Sequence, residues 1–262
     1  MEVVQGLDAL APSSRPAFLV VGVFDGLHLG HAYLLRHLVE EARRRDARAV
    51  VITFDHHPDE ILVGGAPPLL CDPDERLERM AAAGVDVTIV VHFDQRLRET
   101  PYEAFVATIA ARARIAGFLM TPEAAFGYQR GGTPDALAVL GEAQGFQVVV
   151  VPSFTIDSRP VSSSGIRTAI ATGDLADARL LLGRPHAVVG DAVAVGEGTE
   201  VRFALPVALP PTGWYRACVR SPDAGLDRGD GPGEHATVAD RVVLLPGNPA
   251  SRRLRVAFLE AG

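Results

Sequence analysis

The first two thirds of this chain alternate short apolar runs with segments of helical periodicity. Strand candidates are the valine-rich runs Ala17 to Phe24, Ala47 to Phe54, Val85 to Phe93 and Phe146 to Pro152, with a weaker run near Gly117. Nearly continuous valine and isoleucine is typical of parallel strands that are covered on both faces. Because parallel crossovers are almost always right-handed, the pattern predicts an α/β fold with a doubly wound parallel sheet.

The segments between these runs predict helices at 32–46, 73–84, 101–114 and 133–145, several of which open after Thr or Asp and close at Gly. From His186 onward the chain consists of short alternating runs separated by Gly, Pro and Asp clusters, which is typical of a small β domain. We therefore expect two domains, at 1–184 and 185–262.

The composition excludes several kinds of chemistry. The chain has no lysine, so all 25 residues counted as Lys or Arg are arginines, and neither a Walker A loop nor Schiff-base catalysis is available. The net charge of −7 also argues against a nucleic-acid-binding surface. A bound anion would have to be held by arginine, histidine, backbone amides, a helix terminus or a metal.

Nothing in the sequence predicts a membrane span or a secretion signal, so we expect a cytoplasmic protein that does not bind membranes. The two cysteines, Cys71 and Cys218, are far apart in the chain and lack neighbours at metal-ligand spacing. They predict neither a disulfide framework nor a zinc site, and no metal ligand is assigned. The oligomeric state is left open.

Two histidines follow the first strand within the stretch VGVFDGLHLGH, Val21 to His31. Ligands of α/β sheets bind beyond the carboxyl ends of the strands, and a helix N-terminus favours anions. Gly30 permits close approach of a ligand, while His28 and His31, three residues apart, can face the same phosphate oxygens. The alternative is two surface histidines after an ordinary turn. The position directly after a buried strand favours phosphate binding.

The pattern resembles the nucleotidyltransferase superfamily whose shared motif is His-x-Gly-His. In that chemistry a substrate phosphate attacks the α-phosphorus of a nucleoside triphosphate and pyrophosphate leaves. The protein needs no nucleophile of its own, only alignment and stabilisation of charge. The resemblance implies the fold of that superfamily for the first domain.

A second candidate phosphate site lies in VSSSGIRTAIATGD, where Ser162, Ser163 and Ser164 precede a short helix that carries Arg167. Serine is a preferred N-cap, and several hydroxyls with free amides can hold a phosphate that a guanidinium also reaches. A simple helix cap with a solvated arginine is the alternative. The resemblance favours the phosphate site, because the superfamily closes its site with a Ser/Thr-rich segment and a basic residue.

Narrower motifs resemble the FMN adenylyltransferase module of prokaryotic bifunctional riboflavin kinase/FAD synthetase. They are VVITFDHHP, Val50 to Pro58, and VSSSGIR followed by GDLADARLLLGRPHAVVG. The corresponding family segments run Thr-Phe-Asp-Pro-His-Pro, Ser-Ser-Thr-x-Ile-Arg, and Gly-Asp with a helix that ends Leu-Gly-Arg-Pro. The resemblance implies transfer of AMP from ATP to FMN with Mg²⁺, which yields FAD and pyrophosphate.

The resemblance also implies roles for individual residues. His28, His31 and Arg167 would be catalytic, the histidines stabilising the α-phosphate transition state and Arg167 holding the outgoing pyrophosphate. The expected ATP-binding residues are Gly22, Phe24, Asp25, Gly30, Ser162, Ser163 and Ser164. The expected flavin-binding residues are Asp55, His57, Pro58, Glu123, Phe126 and Gly127. Mg²⁺ would bridge the phosphates of ATP.

Three departures separate this chain from the family pattern. His56 replaces the first proline of Thr-Phe-Asp-Pro-His-Pro. Glu123 and Ala124 replace a short polar residue and an aromatic one ahead of Phe126 and Gly127, which match. The region from Glu200 to Val219 lacks the family's Gly-x-Pro-Thr-Ala-Asn motif. We therefore expect a β domain related to riboflavin kinase but without its activity.

Two other functions stay open at this point. The chain could be a related nucleotidyltransferase that acts on another phosphomonoester, such as a modified flavin or a polyol phosphate. It could also be a catalytically silent protein that binds a flavin or a nucleotide. Product identification and histidine substitutions distinguish these from an FMN adenylyltransferase.

Overall fold

The computed structural model describes residues 1–226, 233–247 and 251–261. The chain divides into two compact units. The first, here called the sheet unit, comprises Met1–Phe24, Gly30–Pro67 and Met80–Phe154. The second, the barrel unit, comprises Asp25–Leu29, Pro68–Arg79 and Thr155–Gly262. The division into domains at 1–184 and 185–262 stays a prediction, although the first barrel strand begins at His186.

Strands and helices alternate along the first 154 residues, as predicted. In chain order the elements are β1 Glu2–Gln5, β2 Ala17–Val21, α1 Leu29–Arg44, β3 Arg48–Phe54, α2 Pro58–Leu62, α3 Pro73–Ala82, β4 Val87–Val91, α4 Gln95–Arg98, α5 Tyr102–Ala110, β5 Ile115–Met120, α6 Pro134–Gln144 and β6 Gln147–Val150. The six strands form one sheet in the order β1-β4-β3-β2-β5-β6, and all neighbours are parallel. The predicted parallel α/β sheet is thus confirmed.

Burial explains why the strand candidates could be found in the sequence. Leu19, Ile52, Ile89 and Phe118 lie on four different strands and are almost fully buried. Strand β1 was not predicted, because its four residues, EVVQ, are too few and too polar to form an apolar run. It adds to the edge of the sheet by pairing with β4.

The barrel unit contains the elements from Thr155 onward. In chain order they are β7 Thr155–Ile156, β8 Arg159–Pro160, α7 Ser163–Ala171, α8 Leu175–Leu182, β9 His186–Val195, β10 Gly198–Arg202, β11 Gly213–Arg220, β12 Glu234–Ala239, β13 Val242–Pro246 and β14 Arg253–Ala261. Strands β9 to β14 close into an antiparallel barrel in the order β10-β13-β12-β11-β14-β9. Val201, Val243, Val256 and Phe258 belong to its apolar core. The predicted small β domain is confirmed.

None of the helices among the described residues has the length and apolarity that a membrane crossing requires.

Candidate functional site

The turn that follows β2 has an unusual backbone. Phe24 and Leu27 adopt positive φ angles of 55° and 38°, a region that residues other than glycine seldom occupy. Asp25, Gly26 and Leu27 form a short 3₁₀ segment that is kinked at Gly26, where φ is 79°, and α1 begins at Leu29. Such strain persists only where surrounding contacts hold it, and it is concentrated at functional sites. The strained residues lie directly before His28, at the predicted phosphate site.

His31 lies in the first turn of α1, as does Gly30. Its imidazole is half-buried, and its ring centroid lies 5.1 Å from that of the buried Phe24 ring. Gly22 makes room for the same ring, because a Cβ at this position would come within 3.0 Å of Phe24. The two predicted ATP-binding residues Gly22 and Phe24 thus help to position His31.

His28 belongs to the barrel unit and is only 4% exposed. Burial, reinforced by the positive charges of Arg184 and Arg167, lowers its pKa to about 4. The imidazole is therefore neutral near pH 7. A neutral imidazole can donate a hydrogen bond to a phosphate without bringing a positive charge of its own.

The buried histidines predict that the free energy of unfolding falls as the pH is lowered from about 6.5 to 4. Burial lowers the pKa values of both His28 and His186 to about 4 in the folded protein, below the ordinary 6.5. Between these pH values the unfolded chain binds more protons than the folded protein. The stabilising contribution of the two histidines is therefore complete above pH 6.5 and is lost as the pH falls. We expect a loss of the order of 2 kcal/mol per histidine between pH 7 and 5.

Urea denaturation at the two pH values measures this loss. His186→Phe keeps a ring in the stack with Phe258 and should remove about half of the pH dependence. Equal stability of the parent at pH 7 and pH 5 would contradict the prediction.

Asp25 and Arg167 form an ion pair in the barrel unit. The Asp25 carboxylate is 4% exposed and also accepts the backbone N–H of Leu70 at 3.0 and 3.1 Å. Arg167 additionally donates from Nε to the carbonyl of Pro68 at 2.8 Å. A guanidinium carries five N–H donors, so these two bonds do not exhaust its capacity. The arrangement fixes a cation beside the strained turn.

The three predicted serines lie at the start of α7. Ser162 is its N-cap and accepts the backbone N–H of Gly165 at 3.2 Å. Ser163 and Ser164 occupy the first turn, and the Ser163 hydroxyl donates to the backbone carbonyl of Asp25 at 3.2 Å. Within the barrel unit the structure therefore brings together Asp25, Ser163 and Arg167. The positive charge of Arg167 also contributes to the lowered pKa of His28.

Arg184 is a further member of this group that the sequence reasoning missed. Its guanidinium donates to the backbone carbonyls of Gly26 and Leu27 at 2.6 and 3.2 Å, and so holds the strained turn directly. Burial lowers its pKa to about 10, which still leaves it charged at neutral pH. Arg184 is the arginine of the segment Leu-Gly-Arg-Pro, which matches a family motif. That match could have indicated a functional arginine at this position.

The sheet unit contains a cavity of about 590 Å³ at the carboxyl ends of β2 and β3. This volume lies within the range of small-molecule sites. Aromatic rings form much of its wall: Phe54, Phe93, Phe105, Phe126 and Tyr128. Four of the predicted flavin-binding residues also line it, namely His57, Pro58, Phe126 and Gly127. Gly22, predicted for the ATP side, lines the same cavity.

Gly127 is required by its surroundings. Its φ is +77°, and a Cβ would come within 2.6 Å of the backbone nitrogen of Tyr102. The position therefore admits only glycine without displacing α5, which begins at Tyr102. Phe126 next to it packs edge-on against Phe105, with ring centroids 5.6 Å apart. The predicted Phe-Gly pair thus shapes the wall of the cavity.

Two predicted flavin residues, Asp55 and Glu123, do not line this cavity. The Glu123 carboxylate accepts a hydrogen bond from the Ser153 hydroxyl at 2.6 Å. Partial burial alone would raise the pKa of Asp55, but hydrogen bonds from His92 and His56 outweigh it and lower the value to about 2. Asp55 is therefore a carboxylate throughout the physiological range.

Among the described residues, no group of three carboxylates offers Mg²⁺ an oxygen-only site. Mg²⁺ prefers an octahedral shell of oxygen ligands. Among the described residues, the one group of three potential ligands is Asp55, His56 and His92, in which two donors are imidazoles. The Asp25 carboxylate is held by the N–H of Leu70 and by Arg167.

Comparisons with known proteins identify relatives of this chain. A protein from Haemophilus influenzae, named bifunctional riboflavin kinase/FMN adenylyltransferase, is 31% identical over 195 residues, which are 74% of this chain and 63% of that protein. A protein of the same name from Escherichia coli is 31% identical over 214 residues, 80% of this chain and 68% of that protein.

A solved structure described as a macrolide-efflux protein from Streptococcus pneumoniae superposes with a TM-score of 0.81 at 22% identity, covering 100% of this chain and 90% of that one. At that identity the likeness shows the fold alone. The family model for FAD synthetase matches residues 10–165, which include His28, His31 and the cavity-lining Phe126 and Gly127. This chain therefore belongs to the FAD synthetase family, as its motifs predicted.

Proposed function

We propose that this protein transfers AMP from ATP to FMN and releases FAD and pyrophosphate. Membership of the FAD synthetase family supports the reaction class. The observation that carries the assignment of the acceptor is the aromatic-walled cavity of about 590 Å³ in the sheet unit. A planar isoalloxazine ring matches such a wall, because aromatic rings favour stacked and edge-to-face contacts.

The phosphates of ATP are assigned to the polar group of the barrel unit. Arg167 would hold the outgoing pyrophosphate through charge-assisted hydrogen bonds, with the α7 N-terminus and Ser162 to Ser164 adding hydroxyl and amide donors. His28, neutral at pH 7, would donate a hydrogen bond to the α-phosphate. His31 would donate a second one, and Gly30 would leave room for the nucleotide.

Catalysis by these groups requires no covalent intermediate on the protein. An FMN phosphate oxygen attacks the α-phosphorus of ATP, a new P–O bond forms, and the bond to the β-phosphate oxygen breaks to release pyrophosphate. The transition state gathers negative charge on the phosphate oxygens. Donors that are already oriented stabilise that charge at little reorganisation cost, and the strained turn held by Arg184 provides such orientation.

We propose Mg²⁺ as a companion of ATP rather than a resident ion. Mg²⁺ commonly keeps several waters and binds through substrate phosphates. It would supply neutralising charge on the polyphosphate, while the protein contributes the arginine and the imidazoles.

Riboflavin kinase activity is proposed to be absent. The region Glu200 to Val219 lacks the family's Gly-x-Pro-Thr-Ala-Asn motif, including the threonine that would help hold metal and phosphate. The barrel itself is complete as a fold, with six strands and a buried core. Its role would then be to support the fold or to regulate the reaction.

Incubation of the chain with ATP, Mg²⁺ and FMN tests the proposal, with FAD identified by chromatography and mass, and pyrophosphate measured in parallel. We expect equal amounts of FAD and pyrophosphate, and no ADP when riboflavin replaces FMN. Product from another phosphomonoester but not from FMN would show that the acceptor is wrong. Ligand binding without pyrophosphate release would indicate a binding protein, and ADP formed from riboflavin would overturn the absence of kinase activity.

Tyr128→Ala tests the assignment of the cavity. Tyr128 lines the cavity and is 46% exposed, so its loss should leave the fold intact. An aromatic contact is worth about 0.5–1.5 kcal/mol, so we expect the KM for FMN to rise about 2- to 10-fold while the KM for ATP stays unchanged. Trp214→Ala is the matched control, since this ring is 53% exposed and lies on the barrel. Equal effects of the two variants on FMN would contradict the assignment.

A further inference from the structure

Three metal-ligating side chains meet at the carboxyl ends of β3 and β4. They are Asp55, His56 and His92, and their ligating atoms all lie within 4.8 Å of one another. The two strands pair in parallel with Phe54 opposite Val91, so Asp55 and His92 are the residues that directly follow the two strand ends. The register of the sheet therefore builds this cluster.

The distances within the cluster suit a tetrahedral ion. Nδ1 of His56 lies 3.1 Å from Oδ1 of Asp55, and Nδ1 of His92 lies 2.6 Å from Oδ2. Ligands bound to zinc at its usual bond lengths are about 3.3 Å apart, so small adjustments suffice. The imidazole centroids of His56 and His92 are 5.6 Å apart and nearly perpendicular. Both rings thus approach the same carboxylate from different directions.

Backbone N–H groups also hold the Asp55 carboxylate in place. Oδ1 of Asp55 accepts the backbone N–H of His56 at 2.8 Å and that of Phe93 at 3.1 Å. Hydrogen bonds of this kind orient metal-binding carboxylates and strengthen metal sites. The three side chains are exposed, which leaves coordination positions for water.

We propose that Asp55, His56 and His92 form a binding site for a divalent transition metal ion of the Zn²⁺, Co²⁺ or Ni²⁺ class. Two imidazoles with one carboxylate are ligands that these ions favour, whereas Mg²⁺ and Ca²⁺ select oxygen. On binding, Nδ1 of each imidazole offers its lone pair to the metal and the proton is carried on Nε2. The site is distinct from the magnesium that accompanies ATP.

One sequence difference bears on this site. His56 occupies the place of the first proline in the family motif Thr-Phe-Asp-Pro-His-Pro. The neighbours Phe54 and Phe93 line the cavity of the sheet unit, so the ion would lie at the edge of that cavity. The inference does not depend on the proposed reaction, because it concerns metal binding alone.

Metal titration of the untagged, chelator-treated full chain tests the site, with excess Mg²⁺ present throughout. We expect one equivalent of Co²⁺ to bind with visible absorption bands of a distorted tetrahedral or five-coordinate ion, and Zn²⁺ to displace it. His56→Asn and His92→Asn should each weaken binding at least about 10-fold. His235→Asn is the matched control, since His235 is exposed on the barrel and stacks on Trp214.

Thermal melting of each variant checks that the fold is retained, which the exposure of both imidazoles leads us to expect. Binding by the two cluster variants that equals binding by the parent would overturn the proposal, since the ion would then be held elsewhere. A parent chain that binds no Co²⁺ or Zn²⁺ would overturn it as well. Binding of Co²⁺ or Zn²⁺ only when Mg²⁺ is left out would refute the assigned metal class.

Discussion

Replacing His31 with alanine is expected to lower kcat for FAD formation about 100- to 1,000-fold, the usual loss when one donor to a transition-state oxyanion is removed. The KM values for ATP and FMN should change little, because the contact is proposed to strengthen as charge develops on the α-phosphate. His31 lies at the start of α1 with its ring against Phe24, so the substitution should remove a donor without disturbing the sheet.

His28→Asn should have an effect of similar size and provides an independent arm. Asparagine keeps an N–H donor, but its side chain is shorter than that of histidine, so the N–H group lies away from its present position. Because burial lowers the pKa of His28 to about 4, the loss should not depend on pH between 6 and 8. A loss that appeared only at acidic pH would indicate that a charged imidazole, rather than a hydrogen bond, was responsible.

His37→Ala is the matched control for both variants. His37 lies on the same helix α1, is half-buried, and contacts the Tyr33 ring and Glu40. Its substitution should leave kcat within about twofold of the parent, since surface changes away from a site have small effects. Equal losses from His31→Ala and His37→Ala would mean that the helix, and not the predicted motif, matters.

Arg167→Ala is expected to reduce kcat/KM for ATP about 10- to 150-fold, the equivalent of about 1.5–3 kcal/mol for a hydrogen bond to a charged group. The same change also removes the partner of the buried Asp25 carboxylate. An unpaired buried charge costs about 3–5 kcal/mol, so this variant should also be less stable. The two effects must therefore be separated.

The double variant Asp25→Asn/Arg167→Ala separates them. It removes both charges, and the free energy of unfolding should recover toward the parental value while kcat/KM for ATP stays low. Urea denaturation and steady-state kinetics on the single and double variants measure the two quantities. Recovery of activity together with stability would show that Arg167 acts only by holding the turn, and its assignment to pyrophosphate would be withdrawn.

Periodicity predicted most of the sheet unit because its strands are buried on both faces. Strands β2, β3 and β4 are mostly apolar runs rich in valine, and the structure places them in the interior of the sheet order. Strand β1 was not predicted, because an edge strand of four residues needs only one apolar face and so does not form an apolar run. In the second domain the sequence predicted a β structure without individual strand bounds, because short strands with one solvent-exposed face, such as β10, β12 and β13, resemble loops.

The sequence predicted which residues belong to the candidate site, but it did not predict the contacts among them. The sequence indicated the phosphate site after the first strand, the serine cap and Phe126, because glycine, serine and aromatic residues leave local signals. It did not indicate the backbone strain, which lies at Phe24 and Leu27. It could not show that Arg184 reaches the carbonyls of Gly26 and Leu27, since more than 150 residues separate them in the chain. Such pairing is set by the tertiary fold.

The same limit explains the cluster at Asp55. Its neighbour His56 was noted as a departure from the family motif, but its partner His92 lies 37 residues from Asp55, at the end of another strand. Only the pairing of β3 with β4 brings these residues together. A sequence pattern records spacing along the chain and carries no direct signal for such contacts.

The fate of labelled phosphate tests the central claim most directly. In parallel reactions the chain receives ATP labelled at the α-phosphate or at the γ-phosphate, with FMN and Mg²⁺. Attack at the α-phosphorus predicts that the α label appears in FAD and the γ label in pyrophosphate. An α label that ends in ADP, with the γ label joined to the flavin, would contradict adenylyl transfer.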